Sequence, residues 1–211
     1  MRSIVKALLG GVSAVAALAA ANGILAQSPR DDWKQGPPFT TLQQVLKYSL
    51  ADAPLSGGER AEIYGVIDDK TIHESFTDQE RDKERETVLS ARVGFIALAA
   101  DGSRQILVQG PPLFCGATGN CSLWFFVRDH GRLRLALDAG GGILLLRPTS
   151  SHGFRDLATG WHMSAFEEDY MVYRWDGMRY READCYIATW DNTSNSTGNS
   201  PTITGCQKAS R

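Results

Sequence analysis

The chain has 211 residues, 43% of them hydrophobic and 22% charged, with 22 Lys+Arg against 24 Asp+Glu. That is the size of one ordinary globular domain, and a near-neutral balance excludes a binder driven by phosphate electrostatics, so no nucleic-acid partner is expected. Composition alone names no activity.

Residues 1–26 carry Arg2 and Lys6, then an apolar stretch over 7–21, then small residues, the three-part pattern of a secretory signal. Cleavage is expected after Ala21 or Ala26. The apolar core is roughly 15 residues, short of the ~20 that span a bilayer, so the mature chain is expected to be secreted or periplasmic without stable membrane insertion. Losing two positive charges takes the formal charge from −2 to −4. Residues 27–39 are polar, end in Gly36-Pro37-Pro38, and read as a flexible lead-in to a single domain over 40–211.

The domain opens with helical signals. Thr40 or Thr41 can cap a helix carrying Leu42, Val45, Leu46 and Leu50 at helical spacing, stopped by Pro54. Ser56 with Glu59 makes a capping box for a second helix, whose face is Ala61, Ile63, Tyr64 and Ile67. Over 77–86, eight of ten residues are charged with mixed signs, which reads as a solvated helical turn or loop, capped by Thr77 with Glu80.

From Thr87 the period becomes alternating. Three segments share one plan: 93–99 and 106–109 about Asp101-Gly102, 123–128 and 133–137 about His130-Gly131, and 170–175 and 178–181 about Asp176-Gly177. A fourth pair is expected over 142–147 and 156–162, with 148–151 as its connection. The expected fold is mainly β, an antiparallel sheet or open barrel of hairpins with two short N-terminal helices, α+β being the alternative. A two-residue turn at Asp176-Gly177 would set Trp175 opposite Met178 and Tyr173 opposite Tyr180, crowding Arg174, Arg179 and Arg181 on the other side. Like charges so placed call for an anionic ligand, or for Glu167, Glu168 and Asp169 as neighbours.

Four cysteines in an exported chain point to two disulfides. Three pairings are open; local sequence favours Cys115 with Cys121 and Cys185 with Cys206, closures worth ~2.4 and ~3.4 kcal/mol in the loop-entropy model. The histidines at 73, 130, 152 and 162 lack the spacing of a zinc finger, so no metal is expected. The loop CGATGNC at 115–121 offers Gly116, Thr118 and Asn120 as a rigid tip for a partner. Residues 191–200, DNTSNSTGNS, have no apolar member and read as a loop. N-glycosylation triplets begin at Asn120, Asn192 and Asn195.

No phosphate loop, nucleophile elbow, zinc-protease helix or dinucleotide fingerprint occurs, so no cofactor is expected. The densest set of reactive residue types is His152, Asp156 and His162, with Glu167, Glu168 and Asp169 following. His152 and Asp156 could pair as base and orienting carboxylate, but a histidine beside glycine is more often a turn residue.

The stretches CGATGNCSLWFF, HGFRDL and VYRWDGMRYREADCY, between Cys115 and Tyr186, resemble secreted bacterial β-rich proteins of uncharacterised function, which implies a β-rich envelope protein and assigns no catalytic residue. Mature size, two disulfides and a β-meander are similar in style to periplasmic lysozyme inhibitors and effector-immunity proteins. The expected role is therefore a binding domain for an envelope protein or an anionic ligand. The alternatives are an inhibitor of a cell-envelope hydrolase and a small hydrolase using His152 and Asp156.

Overall fold

The computed structural model describes residues 42–68, 76–191 and 201–206. The signal, the lead-in, the Thr40/Thr41 cap and the triplets at Asn192 and Asn195 lie outside them.

Three short helices, α1 (Leu42–Val45), α2 (Gly57–Ile67) and α3 (Arg81–Leu89), accompany ten strands. The strands are β1 (Leu46–Ser49), β2 (Arg92–Ala97), β3 (Arg104–Gln109), β4 (Cys121–Asp129), β5 (Arg132–Gly141), β6 (Ile143–Ser151), β7 (Phe154–Ser164), β8 (Glu167–Trp175), β9 (Tyr180–Thr189) and β10 (Thr202–Gly205). They form two antiparallel five-stranded sheets, ordered β1-β2-β3-β4-β5 and β10-β9-β8-β7-β6, one of them curled into a half-barrel. The mainly β fold read from the sequence is the fold observed.

The first sheet is buried on both faces. One face meets the second sheet in a core that includes Leu107, Leu123, Phe125, Leu144, Leu157, Trp175 and Tyr180. The other is covered by α2 and α3 through Ile63, Ile67 and Val88, packed on Val93, Ile106, Trp124 and Phe126. This explains why Leu123, Trp124, Phe125, Phe126 and Val127 run without a polar interruption: all five are buried, as a strand with two dry faces requires. A smaller cluster on the far face of the second sheet holds Leu145, Ala158, Tyr170, Val172, Tyr186 and Ala188, with the Tyr170 and Tyr186 rings stacked at 5.2 Å.

The capping box at Ser56 and Glu59 forms, each side chain bonded to the other's backbone N–H at 3.2 and 2.9 Å. The box at Thr77 and Glu80 starts a 3₁₀ turn (Asp78–Glu80) that leads into α3, so a third helix occupies the charged stretch. The helix expected over Leu42, Val45, Leu46 and Leu50 is corrected. It ends at Val45, and β1 follows, paired with β2 through Leu46 opposite Gly94 and Ser49 opposite Arg92. Leu42 and Leu46 enter the inter-sheet core while Leu50 enters the helix-side core. A single helix face cannot reach both sides of a sheet, so the chain extends along the sheet edge instead.

Two turns are tight two-residue loops in which both residues take positive φ, His130-Gly131 (49° and 81°) and His152-Gly153 (47° and 81°). The second corrects the expected connection over 148–151, which continues β6 with Ser151 opposite Phe154. The turn at Asp176-Gly177 is also corrected. Trp175 pairs with Tyr180, Tyr173 with Glu182 and Arg174 with Arg181, leaving a four-residue loop over 176–179. The reason is chemical: Asp176 Oδ1 accepts from the N–H groups of Met178 and Arg179, both at 2.8 Å, and so widens the turn.

Phe125 is 1% exposed at the centre of the inter-sheet core. Phe125→Ala is expected to lower stability by ~3–5 kcal/mol, read as a fall in the urea midpoint at unchanged slope.

Candidate functional site

The chain leaves the first sheet through Gly140, Gly141 and Gly142. A Cβ on Gly140 would stand 2.1 Å from Cζ2 of Trp161, and one on Gly141 would stand 2.4 Å from the Gly160 carbonyl oxygen. The Trp161 indole therefore lies directly on the Gly140 backbone. Between β5 on one side and β8–β9 on the other, two adjoining recesses of about 580 Å³ each open, and both are lined by Asp138, Tyr173 and Glu182.

At one end stand Leu135, Leu137, Arg179, Tyr180 and Arg181. At the other stand Trp161, Met163, Asp169 and the Cys185–Cys206 disulfide. Pairing explains the second group: Trp161 lies opposite Asp169, and Met171 opposite Cys185, so these side chains share one face of the sheet. Trp161 and Met163 are 41% and 54% exposed, unusual for large apolar residues beside a cavity. Burial pushes the Tyr173 hydroxyl pKa up, and the carboxylates of Glu182 and Asp138 act in the same direction. Asp169 Oδ1 is fully buried and has no hydrogen-bond partner.

The arginine face expected from the sequence is divided. Arg181 is held by Asp176 at 2.8 Å, and Arg174 stands 4.0 Å from Asp156, so carboxylates other than Glu167, Glu168 and Asp169 accompany them. Arg179 and Arg181 reach the cleft, whereas Arg174 does not line it. The Asp176 carboxyl is held well below the usual aspartate range by the Arg179 N–H, then by the Arg181 guanidinium and the Met178 N–H.

His152 and Asp156 do not form a pair. His152 is the first residue of its turn and its Nδ1 meets the Trp175 carbonyl at 2.9 Å, while Asp156 is buried and accepts from Thr149 Oγ1 at 2.8 Å. His162 Nδ1 lies 3.0 Å from Glu168 Oε1, and Tyr170 donates to the other oxygen of that carboxylate.

Both disulfides pair as local sequence favoured, and they fit an oxidising, extracytoplasmic compartment. Within the first loop the Gly116 N–H donates to the Asn120 carbonyl at 2.7 Å, and the Asn120 amide donates to Thr118 Oγ1. The same Asn120 amide brackets the His162 backbone: Oδ1 accepts from its N–H and Nδ2 donates to its carbonyl, both at 3.0 Å. Asn120 is thus a clamp between the disulfide loop and β7, a role its position in a loop tip does not announce.

Among the described residues no group of three or more His, Cys, Asp or Glu is arranged to hold a metal, and no helix is long and apolar enough to cross a membrane. Comparison with family models, with curated proteins and with solved structures finds no match to this chain.

Sequence reasoning did not name Asp138, Tyr173 or Glu182 as site residues, and read Asp169 as a neighbour for arginine and as one of the reactive residue types that follow His162. The available signal was in GWHMS at 160–164, where Trp161 and Met163 keep two apolar residues on one side of a strand whose neighbours are polar.

Asn120→Ala is expected to cost about 1–3 kcal/mol, the loss of two partly buried hydrogen bonds, and to accelerate amide exchange at His162. For Asp176, a folded pKa below the unfolded one means stabilisation that is complete above about pH 5 and lost as pH falls through the depressed value. The difference in urea midpoint between the native chain and Asp176→Asn is expected to be largest near about pH 6 and to shrink towards about pH 2.

Proposed function

We propose that this protein is an exported, non-catalytic binding domain of an extracytoplasmic compartment, and that its ligand enters the cleft between β5 and the β8–β9 hairpin. The observation that carries this reading is the continuity of the two recesses through Asp138, Tyr173 and Glu182, with Trp161 and Met163 exposed at one mouth. Their combined size suits a small molecule or a short side-chain segment of a partner. A disulfide in the wall and a glycine bed beneath the indole preorganise the site, which favours affinity by reducing what must be ordered on binding. The signal pattern of residues 1–26 and the two disulfides agree on the compartment.

A second reading, inhibition of an envelope enzyme through the disulfide loop, has one observation in its favour. The loop is fixed at both ends, by its disulfide and by the Asn120 clamp, and Leu113 just before it is 69% exposed.

The test is nitrogen-15 NMR of the mature protein against a panel of small amphipathic molecules of either charge. Shifts are expected to cluster at Asp138, Trp161, Tyr173 and Glu182 and to be unaffected by Leu113→Asp. Shifts centred on His152 and Asp156 with turnover of the compound, or confined to residues 113–121, would replace the cleft reading by the hydrolase or the inhibitor.

A further inference from the structure

We infer that the recess at the disulfide end of the cleft takes a primary ammonium group carried on an apolar chain. The inference rests on the cleft being the ligand site, and it reverses the anionic ligand expected from the arginines.

The lining of this recess is apolar in its walls and acidic in its polar groups. Trp161, Tyr173 and Met163 supply aromatic and thioether surface, Asp169 and Glu182 supply carboxylates, and no lysine or arginine is among its lining residues. The arginines of the cleft line the opposite end, where Arg181 already has Asp176 as counter-charge. Neither the Asp169 nor the Glu182 side chain makes a hydrogen bond or ion pair with the described residues. Asp169 Oδ1 is removed from solvent without a donor, so the charge of this recess-lining carboxylate has no counter-group of its own among the described residues, a costly state that a cation in the recess offsets.

Two features narrow the class. A carboxylate without an internal donor takes an N–H, which a primary ammonium supplies and a quaternary ammonium does not. An exposed indole beside a carboxylate attracts a cation to its face and covers an alkyl chain with its edge. The indole cannot withdraw, because it is seated on Gly140. A volume of about 580 Å³ admits a chain of several carbons besides the head group.

The probe is n-hexylammonium, titrated into the full mature chain and followed by the Trp161 indole N–H and the amides of residues 169–171. Saturable shifts are expected, with n-hexanol and trimethylhexylammonium each binding at least about tenfold more weakly. Asp169→Asn is expected to weaken hexylammonium by about tenfold and leave hexanol unchanged. Glu182→Gln, at an exposed position where folding is not at stake, is expected to weaken hexylammonium by a smaller factor that 0.5 M salt abolishes. Equal binding of hexanol and hexylammonium in the recess, insensitive to both substitutions, overturns the ammonium assignment while leaving the cleft as the ligand site. Tighter binding of the trimethyl compound overturns the role given to the Asp169 carboxylate as acceptor. Shifts from none of the three probes, together with an unresponsive panel at the cleft, overturn both readings.

Discussion

The passage of the chain from one sheet to the other, through Gly140, Gly141 and Gly142, fixes the relation on which the other features depend. Gly141 takes φ of 135° and comes so close to the Gly160 carbonyl that no side chain fits between them, while Gly140 seats the indole of Trp161. Without that close approach β6 could not turn away from β5 and carry its leucines over the face of the first sheet. The inter-sheet core and the cleft beside β5 both follow from a crossing made where side chains are missing. The hydrophobic effect supplies the drive, and the glycines select the geometry in which it is satisfied.

The elements most legible in the sequence are those decided by neighbours a few residues apart. The Ser56 capping box, the His130-Gly131 turn and both disulfides rest on local chemistry and were read correctly. The errors occur where a distant contact outweighs the local signal. Leu42, Leu46 and Leu50 have helical spacing, but they serve cores on opposite sides of one sheet, and that division exists only once β1 has paired with β2. Asp176-Gly177 has the appearance of a two-residue turn, but the edge-to-face contact of Trp175 with Tyr180, ring centroids 5.1 Å apart, holds in register the wider loop that Asp176 Oδ1 bonds. The cleft was the least legible of all. Its members come from β5, β7, β8 and β9, and a bulge between Val172 and Tyr173 decides that Glu182 stands opposite Tyr173.

Histidine illustrates how position redirects a reactive residue type. His130 and His152 both occupy left-handed turn positions, and His152 spends its ring nitrogen on a main-chain carbonyl. His162 lies under the Asn120 clamp and pairs with Glu168, which also accepts from Tyr170. These arrangements serve to fix backbone and to join layers. The cleft, by contrast, holds a carboxylate, that of Asp169, with no donor among the described residues, and that contrast with the satisfied histidines directs attention there.

The sheets also bear on which strand edges are covered. Open strand edges template pairing between molecules, and folded proteins commonly keep such edges short. Of the four outer strands, β1 and β10 have only four residues, while β5 and β6, with ten and nine, are joined where the chain crosses between the sheets. β1 is entered directly from a helical turn, and β10 is tied to its neighbour by the Cys185–Cys206 bond. Releasing that bond in a reducing environment would let β10 leave and expose the ten-residue strand β9, with its alternating Tyr186 and Ala188, as a fresh edge. The disulfide thus holds β10 over the end of β9, and oxidising conditions are what keep that stretch of edge covered.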